Sequence, residues 1–331
     1  MKRIVLSTTL TLAAVAPFAG RAQDLPENLN RFSFGPSFGM NFKAGFYNNN
    51  SVNPGPAAGD ADHTYDDGYV RVDGSGDAGG LTGNWGYHNA SQFNASADVM
   101  QFHDVQSGPS SATDDPQFGA ELIYQRVIGN LPFLGGDWGL ESGFGFTEID
   151  LRENLSGTAP VITDSFALNG VVPPGAGYHG TAQGPGALLG DTPTRTTASG
   201  TLTGYQRLSG QSFSLRLGPF AEWYFTPKIS LSASAGLTLA PTMIDYDFSE
   251  TALLAGGGGA IVASGHSSEA KLLYGPYVGG MLRYDFNECW GVFVGARFQN
   301  LTDLTQSIGD RTARLDAGAT VYATAGISWR F

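Results

Sequence analysis

Apolar and polar residues alternate one by one along much of this chain. From Phe32 the sequence reads FSFGPSFGMNFKAGF. Phe32, Phe34, Phe38, Met40, Phe42, Ala44 and Phe46 fall on one face, and Ser33, Gly35, Ser37, Gly39, Asn41, Lys43 and Gly45 on the other. A period of two predicts a β-strand, here longer than the average of about five to six residues. Six internal segments repeat the pattern, over about 118–125, 138–146, 213–225, 229–239, 272–286 and 290–299. The last segment, TVYATAGISWRF, carries the alternation to Phe331, where chain ends usually fray.

These segments predict eight strands joined by connectors of two kinds. Short ones are GNLPFLGG, Thr226-Pro227-Lys228 and Asn287-Glu288; long ones cover roughly 48–115, 151–211, 247–267 and 300–312. Short turns on one side and long loops on the other predict an all-β fold, a transmembrane antiparallel up-and-down β-barrel with long extracellular loops. Thirteen residues, as in 213–225, rise about 43 Å at about 3.3 Å each, enough when tilted to cross an apolar band of about 25 Å. The stretch Gln92–Met100 also alternates, and ten strands is the alternative. Pro36, Pro219 and Pro276 interrupt strands, so bulges or poorly paired stretches are expected there.

The tryptophans support the same picture independently. Trp138, Trp223, Trp290 and Trp329 lie on apolar faces beside short turns or the C-terminus, with Phe331 at the same level. This predicts an aromatic girdle at the periplasmic interface. The polar faces carry Lys43, Arg216, Arg283, Arg297 and Arg330 against Glu121, Glu141, Glu222, Asp285 and Asp316, five of each sign. Against lipid each basic residue costs about 2–4 kcal/mol at mid-membrane. The ten charges are therefore expected to pair inside a lumen.

Composition narrows the class. The start, MKRIVLSTTLTLAAVAPFAGRAQ, has a basic n-region, an apolar stretch and small residues, and predicts a secretory signal cleaved after Ala22. Residues 23–331 are then expected to form a single barrel domain, with large surface loops at about 48–115 and 151–211. No later apolar run approaches the ~20 residues of a spanning helix. Cys289 is the single cysteine, so no internal disulfide forms. The formal charge is −12, and −15 once Lys2, Arg3 and Arg21 leave with the signal. That argues against a nucleic-acid partner, which needs a basic footprint.

With its signal, eight alternating segments and terminal SWRF, the chain resembles small bacterial outer-membrane barrels of the OmpA/OmpX type, within a porin-like superfamily. The resemblance implies an outer-membrane location, lipid as surroundings, and delivery by the barrel-assembly machinery. In that family the machinery reads the last strand, where Ile327, Trp329 and Phe331 match the pattern. Eight strands leave an interior that side chains just fill. The expected function is envelope structure or surface interaction through the loops, with an unknown surface ligand. A narrow porin for small solutes is the alternative.

No sequence pattern specifies chemistry, and neither an enzyme nor a cofactor is expected. His63, His88, His103, His179 and His266 all fall in long connectors, with Asp62-His63 and His103-Asp104 adjacent in sequence. The first connector holds ten aspartates and one arginine, a local charge of −9. Asp60, Asp62, Asp66, Asp67, Asp73 and Asp77 are weak candidates for a divalent cation, but the glycine and terminal glutamate of an EF-hand loop are missing. A solvated acidic surface is the favoured expectation.

Overall fold

The computed structural model describes residues 29–48, 62–72, 79–131, 135–182, 186–254 and 259–331. The signal segment 1–22 lies outside the described residues. Eight strands form the wall: β1 (Asn30–Met40), β2 (Gln117–Leu131), β3 (Gly136–Ala167), β4 (Thr194–Thr226), β5 (Ile229–Leu254), β6 (Ala260–Asp285), β7 (Trp290–Gln299) and β8 (Thr320–Arg330). Each pairs antiparallel with the next, and β8 pairs back onto β1, for example at Phe34↔Ile327. The sheet therefore closes on itself and leaves no edge at membrane level, where an unpaired backbone group has no water to bond. Val99–Val105, adjoining the alternating stretch 92–100, pairs with the far end of β3 (Val105↔Val161) and lies outside this ring.

The apolar faces expected from the sequence point outward and form the exposed belt: Phe34, Leu140, Phe144, Leu217, Leu237, Leu272, Val278 and Val294 are among the exposed hydrophobics. At its lower margin Trp138, Trp290, Trp329 and Phe331 are exposed, and Trp223 is partly buried. Trp329 stacks on Trp290 at 6.2 Å and on Phe331 at 4.6 Å between ring centroids. Phe331 is tied into the sheet, its N–H donating to Asn30 O at 2.9 Å. This hydrogen bond holds the end that would otherwise fray.

The prolines do not produce bulges. The β1–β8 ladder skips from Phe34↔Ile327 to Ser37↔Thr324, the β4–β5 ladder skips Gly218 and Pro219, and the β6–β7 ladder begins just beyond Pro276. The missing N–H groups of Pro36 and Pro219 thus fall in a gap of one ladder with the register unchanged across it, and that of Pro276 falls just beyond the end of a ladder. At two of these gaps Gly35 and Gly218 let the backbones touch: a Cβ there would collide with the Ala325 and Ala235 carbonyls.

The structure differs from expectation above the belt. Connectors 151–211 and 247–267 are largely strand, since β3 and β4 pair as far as Ser165↔Thr194, and β5 and β6 as far as Leu253↔Ala260. β3 to β6 are 26 to 33 residues long, whereas β1, β2, β7 and β8 are 10 to 15. The tall half-wall is faced by a small sheet in the order Leu304–Ile308, Arg311–Asp316, Lys43–Asn48, Ser110–Ala112. Between them lies an apolar core that includes Phe42, Phe46, Leu151, Leu208, Ile244, Tyr246, Leu304 and Leu315. Higher still, Tyr65, Trp85, Tyr87, Met100, Phe102 and Phe166 form the core of a lobe.

The expected fifteen-residue first strand is also broken. Asn41 has φ 66°, a left-handed conformation between Met40 and Lys43. The chain turns over there, so Phe34 faces out below it while Phe42, Ala44 and Phe46 are buried above it. Residues 317–319 separate Arg311–Asp316 from β8, and the inward parity changes in the same way. Lys43 and Asp316 therefore do not face the lumen: they are exposed and sit opposite each other on the outer surface.

Candidate functional site: the lumen and the upper lobe

Inward residues of the membrane-level barrel form an ionic ladder. At the bottom Asp285 lies 3.8 Å from Arg31 and 3.4 Å from Arg330. Arg31 donates to Glu222 at 2.9 Å, and Arg283 donates to the same carboxylate at 2.6 Å, joined by Ser230 Oγ at 2.6 Å. Gln125 carries the ladder upward: its oxygen accepts from Arg283 and its amide donates to Glu141, both at 2.8 Å. Arg216 lies 4.0 Å from Glu141 and pairs with Glu121, which also binds Arg297 and accepts from Thr324 at 2.9 Å. Arg297 stacks 4.4 Å above the Tyr322 ring, and Tyr322 meets Phe42 edge-on where the apolar core begins.

Glu121, Glu141, Glu222, Arg216, Arg283 and Arg297 are all buried, as are Arg31 and Asp137, which the sequence pattern had not singled out. Asp137 accepts from Tyr224 at 2.9 Å. With Arg31 and Asp137 in place of Lys43 and Asp316, the inward charges again number five of each sign. Arg31 was missed because the apolar alternation begins one residue later, at Phe32; its parity with Ser33 was the available signal. Pairing matters here because an uncompensated buried charge costs several kcal/mol.

Little space is left between these groups. One cavity of about 30 Å³ touches Glu121, Glu141, Arg216 and Arg297, and another of about 10 Å³ touches Arg31, Gln125 and Glu222. A single water needs about 10–15 Å³ on this measure. The larger void has room for about two waters and the smaller for at most one.

The lobe rewires the histidine–aspartate neighbours of the sequence. His63 pairs with Asp104 at 2.8 Å, and His103 Nδ1 with Asp67 at 2.6 Å, so each histidine binds a carboxylate from elsewhere in the first connector. Burial raises the Asp104 pKa, against the lowering effect of His63. Asp66 accepts from Arg311 at 2.7 Å, and Arg311 also donates to Glu250 at 2.8 Å, which fastens the lobe to the wall. Asp164 accepts from Tyr65 at 2.9 Å and from Arg195 at 2.6 and 2.7 Å; burial beside this carboxylate holds the Tyr65 pKa well above its ordinary value. A cavity of about 150 Å³ lies between Asp67, His88, Ser91, His103 and Ile261.

Of the cation candidates, the described Asp62, Asp66 and Asp67 are each engaged with other groups. Asp62 accepts the Val72 N–H, and Asp66 and Asp67 accept backbone N–H groups of Val105 and His103 besides their ion pairs. Asp60, Asp73 and Asp77 lie outside the described residues. Among the described residues no three His, Cys, Asp or Glu side chains converge as a metal site.

A closed antiparallel ring, an outward apolar belt, an aromatic margin and a charged interior together define an outer-membrane type of β-barrel. The chain is similar to Ail, the attachment invasion locus protein of Yersinia pestis, at 10% identity over 91% of this chain and 99% of that one, TM-score 0.28. It is also similar to the outer-membrane protease OmpT of Escherichia coli, at 11% identity over 93% and 98%, TM-score 0.31. The toluene transporter TodX of Pseudomonas putida matches at 9% identity over 92% and 91%, TM-score 0.21. No protein-family model and no curated protein matches the chain. The expectation that the chain is not an enzyme is corrected by the second of these structures: the matched fold includes a protease, so catalysis is open.

Proposed function

We propose that the protein is an integral outer-membrane barrel, closed to solutes at membrane level, whose extracellular lobe acts in envelope structure or surface contact. The observation that carries this reading is the ladder from Asp285 to Arg297, which crosses the bore through alternating charges with voids of about 30 and 10 Å³. The tall half-wall and its lobe then supply the surface available to a partner. The first connector, with a charge of −9, disfavours polyanions as that partner. Lipid surrounds the belt, residues 1–22 serve as a cleaved export signal, and Ile327, Trp329 and Phe331 are the assembly signal for the barrel-assembly machinery.

Conductance of the refolded protein in a planar bilayer tests the closed lumen. Native protein is expected to show no steady current. Arg283→Ala leaves Glu222 and Gln125 without a shared donor and is expected to open a small cation-selective conductance. A large, stable channel in the native protein would establish a pore for small solutes instead.

A further inference from the structure

The strands β5 and β6 carry, on the outer surface just above the apolar belt, a row of polar residues that the lumen and lobe do not use. His266 and Ser268 are two apart on β6 and so point to the same side. The ladder places Asp247 opposite His266 and Asp245 opposite Ser268. His266 Nδ1 lies 2.7 Å from Asp247 Oδ1, and its Nε2 lies 3.3 Å from Ser268 Oγ. A hydroxyl, an imidazole and a carboxylate thus stand in the order that activates a serine nucleophile. The hydroxyl–imidazole distance is slightly long, as is common before substrate binds. This joins three residues from the expected connector 247–267 and its margin, which is in fact paired strand.

The surroundings add two features. Tyr274 exchanges hydrogen bonds with Thr302 through both its N–H and its C=O, away from β5. Backbone direction alternates with period two, so Ser268 and Ala270 aim their N–H groups to the same edge. The β6–β7 ladder begins only at Tyr277, and among the described residues no strand pairs with this edge between 260 and 275. The Ser268 N–H at this unpaired edge is thus available as a single donor to a developing oxyanion. The second feature is depth. Exposed Met243 and Leu272 mark the top of the belt, two and four positions below the Asp245–Ser268 pair. At about 3.3 Å per residue, the hydroxyl stands at the boundary where a lipid's acyl esters lie.

We infer that Ser268, His266 and Asp247 form a hydrolytic site that cleaves carboxylic esters of lipids in the outer leaflet. Ser268 Oγ attacks the ester carbonyl carbon while His266 Nε2 takes the hydroxyl proton. The carbon–oxygen bond to the lipid alcohol breaks, and His266 returns the proton to that oxygen. Water then attacks the acyl-serine, gives its proton to His266, and the fatty acid leaves as the proton returns to Ser268. Asp247 is a positioning residue: it holds the imidazole tautomer and stabilises the imidazolium. Asp245 accepts the Ser268 hydroxyl in the resting arrangement. That arrangement suits a protonated His266, whose Nε2–H donates to Ser268; loss of the proton lets the hydroxyl turn to the imidazole. The Asp247 hydrogen bond, with the Asp245 charge, raises the His266 pKa, so the site gains activity as pH rises through that value. Arg207, paired with Asp150 and opposite Asp247 in the β4–β5 ladder, is the neighbouring cation.

The test uses the full-length protein folded in detergent and mixed with vesicles of phosphatidylethanolamine and phosphatidylglycerol, or with lipopolysaccharide. Released fatty acid is measured by mass spectrometry, with heat-modifiable gel mobility as the folding control. Release from one preparation and not the other identifies which lipid supplies the ester. Ser268→Ala and His266→Asn are expected to bring release to background. Asp247→Asn is expected to lower it at least about tenfold and to move the pH inflection downward. A fluorophosphonate should label Ser268 in the folded protein and not after heating. No release from either lipid, or equal release by folded Ser268→Ala, would overturn the inference.

Discussion

The lower barrel and the upper half-wall are built from the same strands with opposite polarity. On β5 the outward residues Leu231, Leu237, Leu239 and Met243 are exposed and apolar, while the inward residues Ser230, Ser232 and Thr238 are buried and polar. A few residues on, the inward positions become Ile244, Tyr246 and Phe248, and the outward ones Asp245, Asp247 and Ser249. The parity of the strand does not change; what lies outside it does. Below, lipid accepts only apolar groups, and polar groups retreat to a bore where they pair. Above, water surrounds the wall, and apolar groups move inward against the small sheet. The strand is one object in two solvents, and each solvent fixes its own inside.

The comparison can be broken most severely from the lower interior. Glu222→Ala leaves Arg31 and Arg283 buried without their shared carboxylate, and is expected to destabilise by about 3–5 kcal/mol. Urea titration of the protein folded in lipid vesicles, followed by tryptophan fluorescence, measures it. A loss below about 1 kcal/mol would mean that the ladder is hydrated and loosely coupled. Next comes Leu217→Arg, which sets a charge in the belt and is expected to cost about 2–4 kcal/mol by the same titration. In the upper core, Ile244→Val trims a buried methylene and should cost about 0.5–1.5 kcal/mol. The smallest effect sharpens the contrast. Thr203→Arg is an outward substitution on the same strand as Leu217, but above the belt, and should stay within about 0.5 kcal/mol of wild type. Equal costs for Leu217→Arg and Thr203→Arg would show that the belt is not where the exposed apolar residues place it.

The histidines show the limits of adjacency as evidence. Asp62-His63 and His103-Asp104 are neighbours in sequence, and neighbouring residues on an extended chain face opposite ways. Their partners come instead from across the lobe, His63 with Asp104 and His103 with Asp67. His266 was visible only as a connector residue. Its partners Asp247 and Ser268 were within reach of a sequence argument once β5 and β6 were extended, because the register follows from counting back along the hairpin.

By itself the sequence determined the β-class, the alternation of the wall, the outward identity of Leu217 or Val294, the aromatic margin around Trp329, and a charged bore containing Glu121, Arg216 and Arg283. All of these follow from a local period of two and from the cost of placing a charge in lipid. Only the tertiary structure decided where that alternation changes its meaning. Asn41 turns the chain over and sends Lys43 outward; the break at 317–319 does the same for Asp316; and the rise of β3 to β6 beyond the membrane turns Leu208 and Tyr246 into core. The partners in the ladder are likewise tertiary, with Arg31 and Glu222 separated by 191 residues. Alternation says that two faces differ. Which face is inside depends on what the rest of the folded chain, the lipid and the water place against each one.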